Sequence, residues 1–356
     1  MSLDQTKIYD CVIIGGGQSA LACAYFMRRS ELNYVILDKN TSCGGAWSYT
    51  WDSLHLFSPA KFNLLPGWPM PDTDEKYPTR DEMIAYLCQY EKRYGFPVFR
   101  DVNVISTRKS GDFFELETSK GIVRCKAIIS ATGTYEKPFI PVIPGLDNFN
   151  GEQIHSSKYK NQKPFEGKKV LVVGGGNSGA QILADLDKVA TCFWGVKSEP
   201  EFLPPNVDGS VLFDSATKIY QNKKEGKKLD TEVINLGNIV RTPQVKKAES
   251  EGVYKYFHFI ESFTENGVVW TDGTEQELDS IVWCTGFGYA TQHLEPTVIP
   301  DSKGKLKVEG NHSLDVDGLW LVGYGGWTGF ASATVIGVGR TAKSTVKECV
   351  RFVESL

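Results

Sequence analysis

An α/β fold with two Rossmann-like dinucleotide-binding domains of the three-layer β/β/α type, the second inserted in the first, is what this sequence predicts. Three observations carry that prediction. A glycine turn between a buried-strand pattern and a helix start occurs twice: residues 9–14 lead into Gly15-Gly16-Gly17-Gln18-Ser19-Ala20, and residues 169–173 lead into Gly174-Gly175-Gly176-Asn177-Ser178-Gly179. A strand pattern running into Thr-Gly also occurs twice, at Ala131-Thr132-Gly133 and at Cys284-Thr285-Gly286, as expected where a chain crosses between two halves. A last buried-strand pattern, Leu319-Trp320-Leu321-Val322-Gly323, follows the second crossing and returns the chain to the first domain. The expected division is 1–163 plus 287–356 for the domain of the first glycine turn and 164–286 for the domain of the second.

Each glycine turn has the context a dinucleotide fingerprint needs. Glycines let the backbone approach a pyrophosphate, and the helix N-terminus faces its charge. One such turn is weak evidence; two imply two dinucleotides, and holding two serves electron transfer between them. The second strand of each unit ends differently. Asp38 stands twenty-three positions beyond Gly15, where a carboxylate accepts from ribose hydroxyls and repels an added phosphate. Lys197 stands twenty-three positions beyond Gly174, where a cation can neutralise a 2′-phosphate, with Ser198 beside it. The first site therefore suits the adenosine half of FAD. The second favours NADPH over NADH, with NADH also a candidate, and a surface lysine is the competing reading of Lys197.

The elements follow in order. Residues 8–38 form the first β-α-β, and Gly44-Gly45-Ala46-Trp47 is a tight turn after the acidic strand end. Residues 51–80 hold Trp51, Pro59, Pro66, Trp68, Pro69, Pro71 and Pro78 among recurring Leu, Phe and Trp, and read as a long ordered loop. Thr79 caps an apolar-periodic helix carrying Met83, Ile84, Tyr86, Leu87 and Tyr90. Residues 98–130 alternate as a β-meander with turns at Ser110-Gly111-Asp112 and Lys120-Gly121. A stiff connector runs from Pro138 to Pro144. The second unit starts near Gly167, with further strands around 256–261, 267–270 and 281–284. The final helix begins near Ser332. The polar stretch 221–228 reads as a solvated loop or helix end.

Composition narrows the function. The 356 residues are 41% apolar and 23% charged, as in an ordinary two-domain globular protein. A net charge of −4 without a basic stripe argues against nucleic acid as the main partner. No apolar run approaches the ~20 residues that span a bilayer, and no signal peptide is visible, so a cytoplasmic location is the default. The eight cysteines form no C-x-x-C or C-x₄-C pair, and most sit in apolar strands or helices. Cys43, just before Gly44-Gly45, has no sequence-local partner, which argues against a disulfide reductase. No metal site is expected.

With Phe149, Gly151, His155, Tyr159, Lys160 and Pro164 added to the residues above, the chain resembles the flavin-containing monooxygenases, a family of class B flavoprotein monooxygenases, and most closely their short bacterial type II group. The family's F-x-G-x-x-x-H-x-x-x-[YF]-K stretch and following proline match Phe149, Gly151, His155, Tyr159, Lys160 and Pro164, the proline arriving one residue early. Ala131-Thr132-Gly133-Thr134-Tyr135 resembles the A-T-G-Y turn with one residue extra. Residues 279–287 resemble D-x-x-x-[LF]-A-T-G-Y, with Trp283 and Cys284 as departures. Residues 53–60 and 66–71 resemble the loop beside the isoalloxazine. Tyr159-Lys160 is similar to the heteroatom-oxidising branch rather than to the Baeyer–Villiger enzymes.

The resemblance implies FAD and NADPH, hydride transfer to the flavin, and a flavin hydroperoxide that gives one oxygen atom of O₂ to a soft nucleophile, a thioether or amine, or to a ketone. The FAD site it implies comprises Gly15, Gly17, Ser19, Ala20, Asp38, Gly45, Ala46, Trp47, His55, Ala131, Thr132, Gly133, Gly323, Tyr324 and Phe330, with Phe57 and Trp327 as further flavin-wall candidates. The NADP site comprises Gly174, Gly176, Asn177, Ser178, Gly179, Lys197, Ser198, Cys284, Thr285 and Gly286. His55 and Asn63 are the candidate catalytic residues, and His155 is expected to position the interdomain linker. The expected partners are a small-molecule substrate and oxygen, and a homodimer is the default assembly. Two rival functions stay open: an NAD(P)H oxidase or flavin reductase making hydrogen peroxide, and a non-catalytic redox-sensing flavoprotein.

Overall fold

Strand alternation in the first β-α-β sorts its side chains onto two faces. Cys11, Ile13 and Ile36 point into one buried cluster, and Val12, Ile14, Val35 and Leu37 into another. This is the period-2 pattern of a strand buried on both sides. The computed structural model describes residues 3–204, 207, 238–329 and 331–356. The polar stretch 221–228 and Phe330 lie outside them.

Chain order runs β1 (Ile8–Ile14), α1 (Gln18–Met27), β2 (Tyr34–Leu37), the aromatic loop, α2 (Arg80–Tyr94), β3 (Val98–Phe99), β4 (Val104–Ser110), β5 (Phe113–Thr118) and β6 (Gly121–Ser130). The second unit comprises β7 (Glu152–His155), β8 (Lys169–Val173), α3 (Asn177–Leu186), β9 (Thr191–Val196), α4 (Pro243–Ser250), β10 (Tyr256–His258), β11 (Ile260–Thr264), β12 (Gly267–Trp270), β13 (Glu275–Glu277) and β14 (Ser280–Trp283). The return to the first adds β15 (Val308–Glu309), β16 (His312–Ser313), β17 (Leu319–Leu321) and α5 (Val335–Glu354).

The first sheet has the order β15-β16-β17-β6-β1-β2-β3, parallel from β17 to β3. Strand β6 serves two layers. Its first half pairs antiparallel with β5, and its second half pairs parallel with β1. The meander therefore covers one face of the parallel sheet, while α1 and α5 cover the other. The second unit repeats the plan with an all-parallel β10-β9-β8-β14-β7 sheet and a separate β11-β12-β13 meander. Both units are Rossmann-like. The pairing of β14 with β7 sets Glu152–His155 in the second sheet, ahead of the boundary at 164 drawn from sequence.

The aromatic loop is ordered by burial: Trp51, Leu54, Leu56, Leu65, Met70 and Tyr77 are all buried. Tyr86 and Tyr90 of α2 pin it through their hydroxyls, to Trp68 O and Pro66 O, each at 2.6 Å. Helix α2 starts in a full capping box, with Thr79 accepting from Glu82 N and Glu82 accepting from Thr79 N. Cys43 has no sequence-local partner, yet it is not free: it forms a disulfide with Cys88 on α2, forty-five residues on. The pair is invisible to motif spacing because a loop and two helical turns lie between the two sulfurs.

Candidate cofactor-binding and active site

The first glycine turn opens on a cavity of about 570 Å³. Gly15 has φ +102°, and a Cβ there would stand 2.8 Å from Ala131 O, so only glycine lets β1 and β6 end side by side. Gly45 has φ +57°, and its Cβ would meet the Gly17 Cα at 2.7 Å. Helix α1 starts at Gly17 with no side-chain cap and no acidic residue in its first turn. Its first amides are left for an anion.

At the far end Asp38 is 3% exposed. Burial pushes its carboxyl above the usual carboxylate range, and the Arg100 guanidinium opposes that shift. Arg100 pairs with both Asp38 and Glu91. Val102 N donates to Asp38 O at 3.0 Å, which brings residues 102–105 into the wall at this end. The cavity, glycine turns that a Cβ would fill, uncapped helix amides and a buried carboxyl paired with Arg100 match a dinucleotide with a pyrophosphate and a ribose.

Most of the sequence-derived FAD set lies in this wall: Gly15, Gly17, Ser19, Asp38, Gly45, Ala46, Trp47, Ala131, Thr132, Gly133 and Gly323. Trp47 is fixed there by Nε1 donating to Gln18 Oε1 at 3.0 Å. Six candidates are elsewhere, among them Phe57, packed against the Tyr77, Leu203 and Val240 cluster, and Trp327, packed against the cluster on the meander side of the sheet. Ala20 is fully buried in the core cluster on the helix side of the sheet. Tyr324 is buried behind the wall, in hydrogen bonds to Ser130 and Thr132. Asn63 is buried with its amide saturated by its own loop: Oδ1 accepts from Ser58 Oγ, and Nδ2 donates to Ser58 O and Pro59 O. It braces the loop and does not reach the cavity.

His55 also lies outside the cavity wall. Its ring meets Ser53 O and Gln244 Nε2, and its backbone exchanges two hydrogen bonds with Gln181. It ties the aromatic loop to α3 and α4 of the second unit. Sequence reasoning missed Gln18, residues 102–105, Gln292 and His293, all of which line the cavity. Gln18 stands in the glycine turn itself; the only signal of the others is position next to β4 or after the second crossing.

The second glycine turn has the same build. Gly174 has φ +126°, its Cβ would collide with Cys284 O, and α3 starts at Gly176 without a side-chain cap or first-turn acid. Among the described residues, a Cβ on Gly176 would meet nothing within 4 Å. Gly179 could not carry a Cβ without striking Gly174 O. Ser178 is half-buried, and Lys197 and Ser198 are exposed at the strand end. Asn177 is occupied: Nδ2 donates to Asn238 O at 3.0 Å, and Oδ1 accepts from Val240 N at 2.9 Å.

The two crossings lie together. His155 Nε2 donates to Gly286 O at 3.0 Å, Nδ1 accepts from Ser157 N at 3.1 Å, and the ring edge meets Phe287. Burial holds the imidazole below its usual pKa, in keeping with this neutral form. Thr285 donates to Phe139 O, and Tyr135 stacks on Phe287. Tyr159 donates to Asp185 of α3 at 2.7 Å, while Lys160 Nζ donates to Tyr49 O at 2.6 Å, beside the Gly44-Gly45 turn. The motif residues thus fasten the linker to both units.

The pattern of the pyridine nucleotide-disulphide oxidoreductase family matches residues 12–191. The chain is similar to the solved flavin-containing monooxygenase of Stenotrophomonas maltophilia, with 42% identity, 97% of this chain and 99% of that one covered, and a TM-score of 0.89. It is 29% identical to the oxidoreductase CzcO of Bacillus subtilis over 96% of this chain and 99% of that one. It is 26% identical to the indole-3-pyruvate monooxygenase YUCCA4 of Oryza sativa subsp. japonica, over 99% and 90%. No helix among the described residues is long and apolar enough to cross a membrane. With two glycine cradles joined by the fastened linker, the chain belongs to the flavin-containing monooxygenases, enzymes that use a flavin and a nicotinamide to oxygenate small molecules with O₂.

Proposed function

We propose that the first cradle holds FAD, that the second takes NADPH with its 2′-phosphate beside Lys197, and that the enzyme oxygenates a thioether, an amine or a ketone of a small molecule. The observation that carries the FAD assignment is Asp38, buried and paired with Arg100 in the cavity wall. Bound FAD, once reduced, supplies activation of O₂, with one oxygen atom going to the substrate and the other to water. The chain's own share is positioning and exclusion of water. Gly15, Gly17 and the α1 amides take the pyrophosphate; Trp47 and the Gly44-Gly45 turn flank the flavin half. The linker clasp through His155, Tyr159 and Lys160 sets the second cradle against the first. Asn63 has no part in it, and His55 acts by joining the units.

The test is a stopped-flow experiment. The purified protein is reduced anaerobically with NADPH, and separately with NADH, then mixed with oxygenated buffer and a thioether. Reoxidation delayed by seconds in the absence of substrate, together with sulfoxide in its presence, supports the monooxygenase chemistry. Immediate reoxidation with stoichiometric hydrogen peroxide overturns it in favour of an oxidase.

A further inference from the structure

Four polar side chains meet where the carboxyl ends of β6 and β17 border the cavity. Thr132 Oγ1 donates to Ala290 O at 2.6 Å, and a carbonyl can only accept. That uses the one threonine proton, so Tyr324 Oη, 2.7 Å away, donates to Thr132. The one tyrosine proton is then used, so Ser130 Oγ, 2.5 Å away, donates to Tyr324. Ser130 in turn has no proton left for His293, so His293 Nε2, at 3.0 Å, donates to Ser130. Counting protons along the chain fixes the imidazole as the Nε2–H tautomer. Nδ1 remains a bare acceptor.

Burial reinforces this state by lowering the His293 pKa to about 4, so the ring is neutral at physiological pH. His293 lines the cavity, and Nδ1 has no protein partner among the described residues. Its short helix, Gln292–Leu294, is held against β4 by Thr107, whose Oγ1 donates to Leu294 O at 2.9 Å and whose amide donates to Glu295 O at 3.0 Å. Val102, Asn103, Val104 and Ile105 share the wall there, next to Asp38. A neutral nitrogen acceptor at that end suits a ligand donor. Adenosine carries such donors in its amine and ribose hydroxyls, whereas a pyrophosphate offers none.

We propose that His293 is a cofactor-binding residue that accepts a hydrogen bond from the adenosine half of FAD, and that Ser130, Tyr324 and Thr132 position it by dictating its tautomer. The inference rests on the assignment of FAD to the first cradle.

The test titrates apoprotein with FAD and with FMN, which lacks the adenosine, following flavin fluorescence. His293→Leu is expected to raise the Kd for FAD about tenfold, one hydrogen bond's worth, and to leave FMN unchanged. His293→Gln, which keeps an acceptor, recovers most of the loss. Equal weakening of both flavins, or no weakening, overturns the inference. ¹⁵N-histidine labelling of the wild type gives an independent readout, with His293→Gln assigning the signal. A protonated Nε2 and a bare Nδ1 that shifts on adding FAD but not FMN is the expected result, and the opposite tautomer overturns it. A wild-type protein that binds neither flavin refutes the FAD assignment itself. FAD binding that survives His293→Leu unchanged refutes only the role of His293.

Discussion

At the first glycine turn the strand-end residue, Asp38, is 3% exposed and shares Arg100 with Glu91; at the second, Lys197 lies exposed beside exposed Ser198. The backbones of the two turns are alike, each with a positive-φ glycine pressed on a Thr-Gly strand and an uncapped helix behind it. Among the described residues, what differs is the closure. The first cradle is walled by the meander, the aromatic loop turn and residues returning from the far end of the chain. On the proposed assignment, a flavin held in the first cradle and a nicotinamide taken by the second would call for that contrast. The lesson is that a shared fingerprint makes two like turns, while the surrounding elements make them unlike sites.

The sharpest way to break this comparison is to spoil each turn alone. Gly15→Ala sets a Cβ 2.8 Å from Ala131 O at φ +102°, and is expected to give colourless protein. Gly174→Ala is expected to stay yellow but to lose reduction by NADPH. A colourless Gly174→Ala would mean that the cradles are not independent. Next, Arg100→Leu strands the Asp38 and Glu91 carboxylates, at a cost of about 3–5 kcal/mol typical of a broken buried pair. Urea melts and flavin content both report it, and an unchanged midpoint would deny the closure argument. Opening the Cys43–Cys88 bridge removes a forty-five-residue loop constraint, worth roughly 2–4 kcal/mol. Melting with and without reductant checks this, and no shift contradicts it. The smallest effect belongs to the second cradle. Lys197→Ala should raise KM for NADPH about tenfold, the scale of one charge-assisted contact, and leave NADH within about twofold. Equal changes for both would remove the 2′-phosphate role.

Much of the fold was legible because it follows from local pattern. Period-2 burial along β1 and β2, the Thr79 capping box and the two Thr-Gly strand ends are each set by neighbouring residues. The candidate site was legible where the glycine turns make it, and obscure where the chain comes back from afar. Residues 102–105 and His293 reach the cavity through sheet order and a crossing, neither of which leaves a motif. Asn63 was chosen by region, yet its amide is saturated within four residues on either side of Pro59 by loop carbonyls and Ser58. Tyr324 belongs to the FAD site that the resemblance implies, but the strand ending turns its ring inward to a hydroxyl chain. Asn177 shows the same limit: it sits in the fingerprint and holds residues 238 and 240.

The Cys43–Cys88 bridge makes the aromatic loop part of a covalent ring closed at the Gly44-Gly45 turn and at α2. A protease that cuts any single peptide bond between the two cysteines therefore leaves one molecule, not two. On a gel without reductant such a nicked chain migrates with the intact protein, and only thiol separates the fragments. The loop next to the Gly44-Gly45 turn can be severed without being lost.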